Sequence, residues 1–387
     1  MVTESPVPGR TVRTAPAAAG SPGSRPPAPG PRSVADPGGA APAPAPAAEP
    51  HRVPVEVPGG GYEVVIGPGV RSLLPGVVAA TGARRAAVVS ARPWEWVPDP
   101  GVPALRVEAR DGEPDKTLAT VGALCERFAA FGLTRQDVIV SVGGGTTTDL
   151  VGLAASLFHR GTPVIHLPTS LLAQVDASIG GKTGVNLPLG KNLVGAYWQP
   201  RAVLCDTEFL STLPERELVN GYGELARCHF IGAPGIRGLP LREQIAASVA
   251  LKASVVAADE RDTGLRHILN YGHTLGHALE IATGFALRHG EAVAVGTVFA
   301  GRLAGELGRI DAARVAEHLD VVRGYGLPWR LPRGVAAGEL VALMRRDKKA
   351  TGGLSFVLDG PAGPTLVHGV PVETVERTLT TMPVADD

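Results

Sequence analysis

Cysteine is scarce: Cys125, Cys205 and Cys228 are scattered and follow no pairing pattern. That argues against a disulfide framework or a Cys-based zinc finger and fits a reducing compartment. Net charge is absent too, with 37 Lys plus Arg against 37 Asp plus Glu. No global field therefore points to nucleic acid or to an anionic membrane. Only a local basic pocket for a small anion stays open. No apolar run approaches the roughly 20 residues of a membrane span. The expectation is a cytoplasmic protein with neither a nucleic-acid nor a membrane partner.

Large apolar side chains are nearly absent from residues 1–51, as "SPGSRPPAPGPRSVADPGGAAPAPAPAAEP" shows. Such a stretch cannot bury enough surface to offset its ordering entropy, so it reads as a disordered Pro/Ala-rich tail. Its prolines deny the continuous apolar core of a secretory signal. Arginines and few acids are features shared with organelle transit peptides, but proline works against the amphipathic helix these need. It reads as a tail without chemistry.

Beyond the tail the chain carries apolar periodicity. "YEVVIGPG", "RAAVVSA", "DVIVSVGGG" and "PVIHLPTS" read as strands, with helical spacing in "LATVGALCERFAAFG" and "TDLVGLAASLFHRG" between them. Strands alternating with helices predict a parallel sheet covered on both faces. After about Leu213 strand signals nearly vanish and helical patterns take over. The expected domains are an α/β unit at 52–213 and a helical unit at 214–383. The cleft between them is the place for a site.

"RHILNYGHTLGHALE" places His273 and His277 one helical turn apart on one face, where two imidazoles can share a cation. The same spacing also suits two ordinary helix histidines. His289 and Glu224 bring the candidate ligands to four. A catalytic zinc commonly takes three protein ligands, so one is surplus. His166 and His229 have no partner at metal spacing. Gly143–Gly145 ends a strand and opens a helix, where backbone N–H groups can approach a pyrophosphate. Thr148 stands where a full G-x-G-x-x-G would carry its third glycine, and Asp149 comes next. Glu113 and Lys116 lie in a loop, "DGEPDKT". Residues 175–192 read as a long polar loop holding Asp176, Lys182, Asn186, Lys191 and Asn192, of the kind that usually serves function. Arg160, Lys252, Arg266 and "RRDKK" are candidates for an anion pocket.

The ordered series "PTSLLAQVD", "GGKTGVN", "GKNLVGA", "TLPERE", "NYGHTLGHALE", "RHGEAVAVG" and "DKK" resembles the 3-dehydroquinate synthase family of the sugar-phosphate cyclase superfamily, over residues 60 to 383. The resemblance implies a Rossmann-like α/β N-terminal domain and a mostly α-helical C-terminal domain. It implies NAD between them, one divalent metal (zinc, or cobalt in its place) and a homodimer. Its metal ligands match Glu224, His273 and His289, which leaves His277 in the site without being a ligand. Glu113, Lys116, Gly144, Gly145, Asp149, Thr169, Ser170, Lys191 and Thr212 match NAD contacts. Asp176, Lys182, Lys252, Arg266, Asn270 and His277 match catalytic positions. Arg160, Asn192, Arg227 and one of Lys348 and Lys349 match substrate contacts.

The implied reaction is conversion of a heptulosonate 7-phosphate to 3-dehydroquinate and phosphate, in aromatic amino acid biosynthesis. Cyclases of the 2-epi-5-epi-valiolone synthase or aminodehydroquinate synthase type and metal-dependent polyol dehydrogenases are the alternatives. Two departures bear on the choice. Arg227 stands where the family commonly has lysine, exchanging a point ammonium for a planar fork. "GGGTTTD" also differs from the family's usual glycine turn.

Overall fold

A computed structural model describes residues 49–110, 112–188, 190–347 and 354–386, apart from the side chains of Arg346 and Asp347. Most of the tail and Lys348 and Lys349 lie outside the described residues.

The strands of the first half are β1 (His51–Val55), β2 (Tyr62–Gly67), β3 (Ala86–Ser90), β4 (Ala104–Glu108), β5 (Val138–Gly143), β6 (Val164–Pro168), β7 (Lys182–Leu187), β8 (Gly190–Tyr197) and β9 (Ala202–Asp206). Seven of them form one sheet in the order β1-β2-β9-β6-β5-β3-β4. All neighbours are parallel except the antiparallel β1–β2 pair. β3 and β5 are buried along their whole length, as their unbroken apolar character requires of strands covered on both faces. β1 contains Pro54 and lies at the edge, where a missing N–H is tolerated.

Helices α1 (Leu74–Ala80), α2 (Leu118–Phe131) and α3 (Gly145–Leu157) belong to this half. α2 starts where the Thr117 side chain accepts from the Thr120 amide. It stops at Gly132, whose left-handed backbone disfavours any residue with a Cβ. Strand order reverses between β3 and β5, so Gly143 at the carboxyl end of β5 opens on the crevice where parallel sheets bind ligands.

The second half carries α4 (Glu215–Ile231), α5 (Leu241–Ala258), α6 (His273–Ala282), α7 (His289–Glu306), α8 (Ala312–Gly324), α9 (Ala337–Asp347) and α10 (Val372–Thr380). Between α9 and α10 lies an antiparallel hairpin of β10 (Leu354–Leu358) and β11 (Thr365–Val370). This corrects the expectation of a nearly strandless second half. Short apolar runs do not separate strand from helix by periodicity alone.

A second correction concerns residues 175–192. They are not one loop. Ala173–Ala177 is a single π-helical turn, and β7 and β8 pair as an antiparallel hairpin. One face of that hairpin buries Val185 beside Leu150, Leu153 and Phe128. Polar Lys182, Asn186, Lys191 and Asn192 interrupt its apolar residues, which hides the strand period.

α4 and α5 press Leu225, Cys228, Ile245 and Val249 against Val64, Ile66 and Cys205 of the sheet. Leu275, Leu279, Val295 and Phe299 of α6 and α7 form a separate core with the C-terminal elements. α4 is thus clamped between the sheet and the helical core, which fixes the residues it carries.

Candidate active site

Three close helix contacts build the centre. Glu224 comes just after Gly223 on α4, and His289 precedes Gly290 on α7. A Cβ on Gly223 would lie 2.2 Å from the Gly290 carbonyl oxygen, and one on Gly290 would lie 1.8 Å from that of Asn220. Only glycines let these backbones meet. At the start of α6, Gly272 has φ 78, and a Cβ on Gly296 would come within 2.0 Å of its carbonyl. His273, the next residue, is thereby seated against α7. Gly290→Ala is expected to push α4 and α7 apart. Stability should fall by about 1–3 kcal/mol, and metal affinity should fall with it. Thermal unfolding and a Co2+ titration check this, and unchanged affinity would contradict it.

Glu224 is fully buried, with Oε1 3.4 Å from His273 Nε2 and 3.3 Å from His289 Nε2. Ligand atoms of the three residues all lie within 4.8 Å of one another. Neither Glu224 oxygen receives a well-aligned hydrogen bond, although Arg227 Nε stands 2.7 Å from Oε2. A buried carboxylate facing two imidazole nitrogens without an aligned donor is a donor set suited to a divalent cation. Burial works against an ionised Glu224, yet Arg227 and His273 outweigh it and hold its pKa well down. His289 also loses by burial, but the neighbouring Glu224 and Glu280 carboxylates hold it up to about 10. Burial lowers His273.

The outer contacts fix ring orientation. His273 Nδ1 lies 3.1 Å from the Tyr271 carbonyl oxygen, and His289 Nδ1 lies 3.1 Å from Glu280 Oε2. That arrangement turns both Nε2 atoms toward Glu224. His277 completes a cluster of rings, 5.5 Å from His273 and 6.1 Å from His289. Glu280 is a site residue that the sequence reading misses. Its signal is its place two turns after His273 on α6.

Asp176 sits on the π-helical turn, of a kind frequent at functional sites. Its Oδ1 accepts from Lys252 Nζ at 2.8 Å and from Arg227 Nη2 at 3.3 Å. Burial pushes the Asp176 carboxyl up, but Lys252 and Arg227 together outweigh this and lower it. Burial lowers the Lys252 ammonium, with Asp176 opposing. Arg227 donates through Nη1 to the Leu269 carbonyl as well. Its fork is therefore committed to protein partners beneath the site.

The remaining candidates spread along the crevice and the elements around it. Lys116 Nζ donates to Asp149 Oδ2 and Asn192 Oδ1, both at 2.6 Å. Burial pushes the Asp149 carboxyl up, Lys116 opposing. Asn186 Nδ2 donates to Glu113 Oε2 at 2.5 Å. Gly144 and Gly145 open α3, and the buried Thr169 donates its amide to the Gly143 carbonyl. Ser170 Oγ accepts from the Ala173 amide, and Thr212 Oγ1 accepts from Arg92. Lys182 pairs with Asp262 at 2.5 Å. Arg266 is buried, and its Nη atoms donate to the Glu260 and Gly180 carbonyls. Asn270 closes the 3-10 turn just before the His273 helix.

Arg160 is not brought into this cluster. It is exposed just beyond α3, one helix length, about 20 Å, from Gly145. His166 bonds Ser141 at 2.6 Å and His229 bonds Glu317 at 2.8 Å, both away from the triad.

Family models described as 3-dehydroquinate synthase N-terminal and 3-dehydroquinate synthase C-terminal match residues 106–220 and 203–350. The chain belongs to the 3-dehydroquinate synthase family. It is 69% identical over 331 residues to a protein of Amycolatopsis mediterranei (strain S699) assigned provisionally as an aminodehydroquinate synthase, covering 86% of this chain and 94% of that one. It is 42% identical over 330 residues to the 3-dehydroquinate synthase of Pseudarthrobacter chlorophenolicus, covering 79% and 90%. Among solved structures, 2-deoxy-scyllo-inosose synthase complexed with carbaglucose-6-phosphate, NAD+ and Co2+ superposes with a TM-score of 0.76 at 26% identity, over 86% of this chain and 100% of that one. The chain is a sugar-phosphate cyclase by family. Among the described residues, no helix is long and apolar enough to cross a membrane.

Proposed function

We propose that the chain is an NAD- and divalent-metal-dependent cyclase of the aminodehydroquinate synthase type. Its substrate would be the amino analogue of a heptulosonate 7-phosphate, with phosphate as the leaving group. The observation that carries this reading is the 69% identity to the Amycolatopsis protein, against 42% to a 3-dehydroquinate synthase. It shifts the preference from the hydroxyl substrate, which the retained motifs suggest, to its amino counterpart.

Glu224, His273 and His289 would hold the metal, and the crevice between Gly143–Gly145 and Lys116 would take the dinucleotide. When bound, NAD supplies a reversible hydride acceptor and the metal a Lewis acid that lowers the pKa of a substrate hydroxyl. The chain's own part is positioning. Asp176, partly exposed, and the buried Lys252, 2.8 Å apart, form an acid–base pair that can hold a proton beside the centre. Arg227 stabilises both Glu224 and Asp176 as anions, so the metal ligand and this pair are charged together. Lys182 and Asn270 would supply a cation and an amide for the phosphate and carboxylate.

The test offers amino and hydroxyl heptulosonate 7-phosphates and sedoheptulose 7-phosphate in parallel to zinc-loaded protein, with products identified by mass. The expected result is a kcat/KM for the amino substrate at least tenfold above the others. Preference for the hydroxyl compound would return the chain to 3-dehydroquinate synthase.

A further inference from the structure

We propose that Lys191 and Glu280 couple the nucleotide end of the site to its metal end, so that dinucleotide and divalent cation each tighten the binding of the other. The inference rests on the reading that Glu224, His273 and His289 hold the metal.

The β7–β8 hairpin touches both ends through adjacent residues. On the nucleotide side, Asn192 Oδ1 accepts from Lys116, which also holds Asp149 on α3, four residues after the glycine turn. The Asn186 amide donates to the Lys116 carbonyl at 2.9 Å, and the Asn192 amide donates to Asn186 Oδ1 at 3.0 Å. Asn192 itself is left-handed, with φ 54, a conformation asparagine tolerates better than most residues. On the metal side, Lys191 Nζ donates to Glu280 Oε1 at 3.0 Å and lies 4.6 Å from the centre of the Phe285 ring. The other oxygen of Glu280 meets His289 Nδ1. Asp149, Lys116, the 191–192 backbone, Glu280, His289 and Glu224 thus form one unbroken series of polar contacts.

The direction of the coupling comes from a second cluster. His277, Glu280 and His289 also have ligand atoms within 4.8 Å of one another. That group competes with Glu224 and His273 for the same cation and for His289. The Lys191 ammonium already occupies Glu280, so a docked hairpin blocks the competing position. It leaves His289 Nε2 directed at Glu224. A dinucleotide that orders the hairpin therefore favours the productive metal position, and linkage requires the reverse effect to be equal.

The test is the ratio of Co2+ dissociation constants without and with saturating NAD+, read from the visible absorption of bound cobalt. Wild type should show about a tenfold ratio. Lys191→Met should bring it within about twofold of one, Lys191→Arg should restore it, and Glu280→Gln should remove it. In Lys191→Met/Glu280→Gln the two losses should not add, because both variants cut the same link. A tenfold ratio persisting in Lys191→Met, or additive losses, would overturn the coupling. A wild-type ratio of one overturns the coupling alone, whereas failure of wild type to bind Co2+ overturns the metal reading along with it.

Discussion

Glu224→Gln should abolish tight metal binding. The carboxylate is the only anionic member of the triad, and the amide would put an NH2 donor where two imidazole nitrogens already point. Loss of an outer partner of a metal ligand typically costs 10- to 100-fold in affinity, so loss of this ligand should exceed about 100-fold. Phosphate release should fall in step. A Co2+ titration with metal analysis of the purified variant checks it. Wild-type affinity in Glu224→Gln would remove Glu224 from the ligand set.

Arg227→Met should be the most destabilising single change at the site. The guanidinium compensates Glu224 and Asp176, and both Arg227 and Glu224 are buried. Breaking a buried ion pair from one side costs about 3–5 kcal/mol, because the partner charge stays in place. Zinc should recover part of that loss, since a ligand that binds only the folded state stabilises it and the cation compensates Glu224. Denaturant unfolding with chelator and with zinc measures both. Arg227→Lys is the sharper probe of function. One ammonium cannot serve Glu224, Asp176 and the Leu269 carbonyl from the directions a fork reaches, so turnover should drop more than tenfold. Near-wild-type turnover would mean that the position only neutralises an anion.

The α/β half is legible in sequence because its buried strands are unbroken apolar runs between glycine turns, as in "DVIVSVGGG". β10–β11 is not, since "LSFVL" is too short for its period to tell strand from helix. The β7–β8 hairpin reads as a loop because polar Lys182, Asn186, Lys191 and Asn192 interrupt its alternation. At the site, Glu224, His273 and His289 come together from three helices. Four candidate ligands in sequence leave the choice open, and the family resemblance, not spacing, singles out these three. Two features take their meaning from three dimensions. The glycines that let α4, α6 and α7 touch look like ordinary helix glycines in sequence. Glu280 looks like one more solvated acid until its oxygens are seen between Lys191 and His289, which hold its pKa down to about 2 against the effect of burial.

The most direct measurement is phosphate released per NAD+ by the zinc-loaded protein, with NADH absorbance followed in the same cuvette. With the amino heptulosonate 7-phosphate and substoichiometric NAD+, a cyclase should release many equivalents of phosphate while NADH stays flat. NADH accumulating in step with substrate loss, without phosphate, would contradict the cyclase reading and make the chain a dehydrogenase.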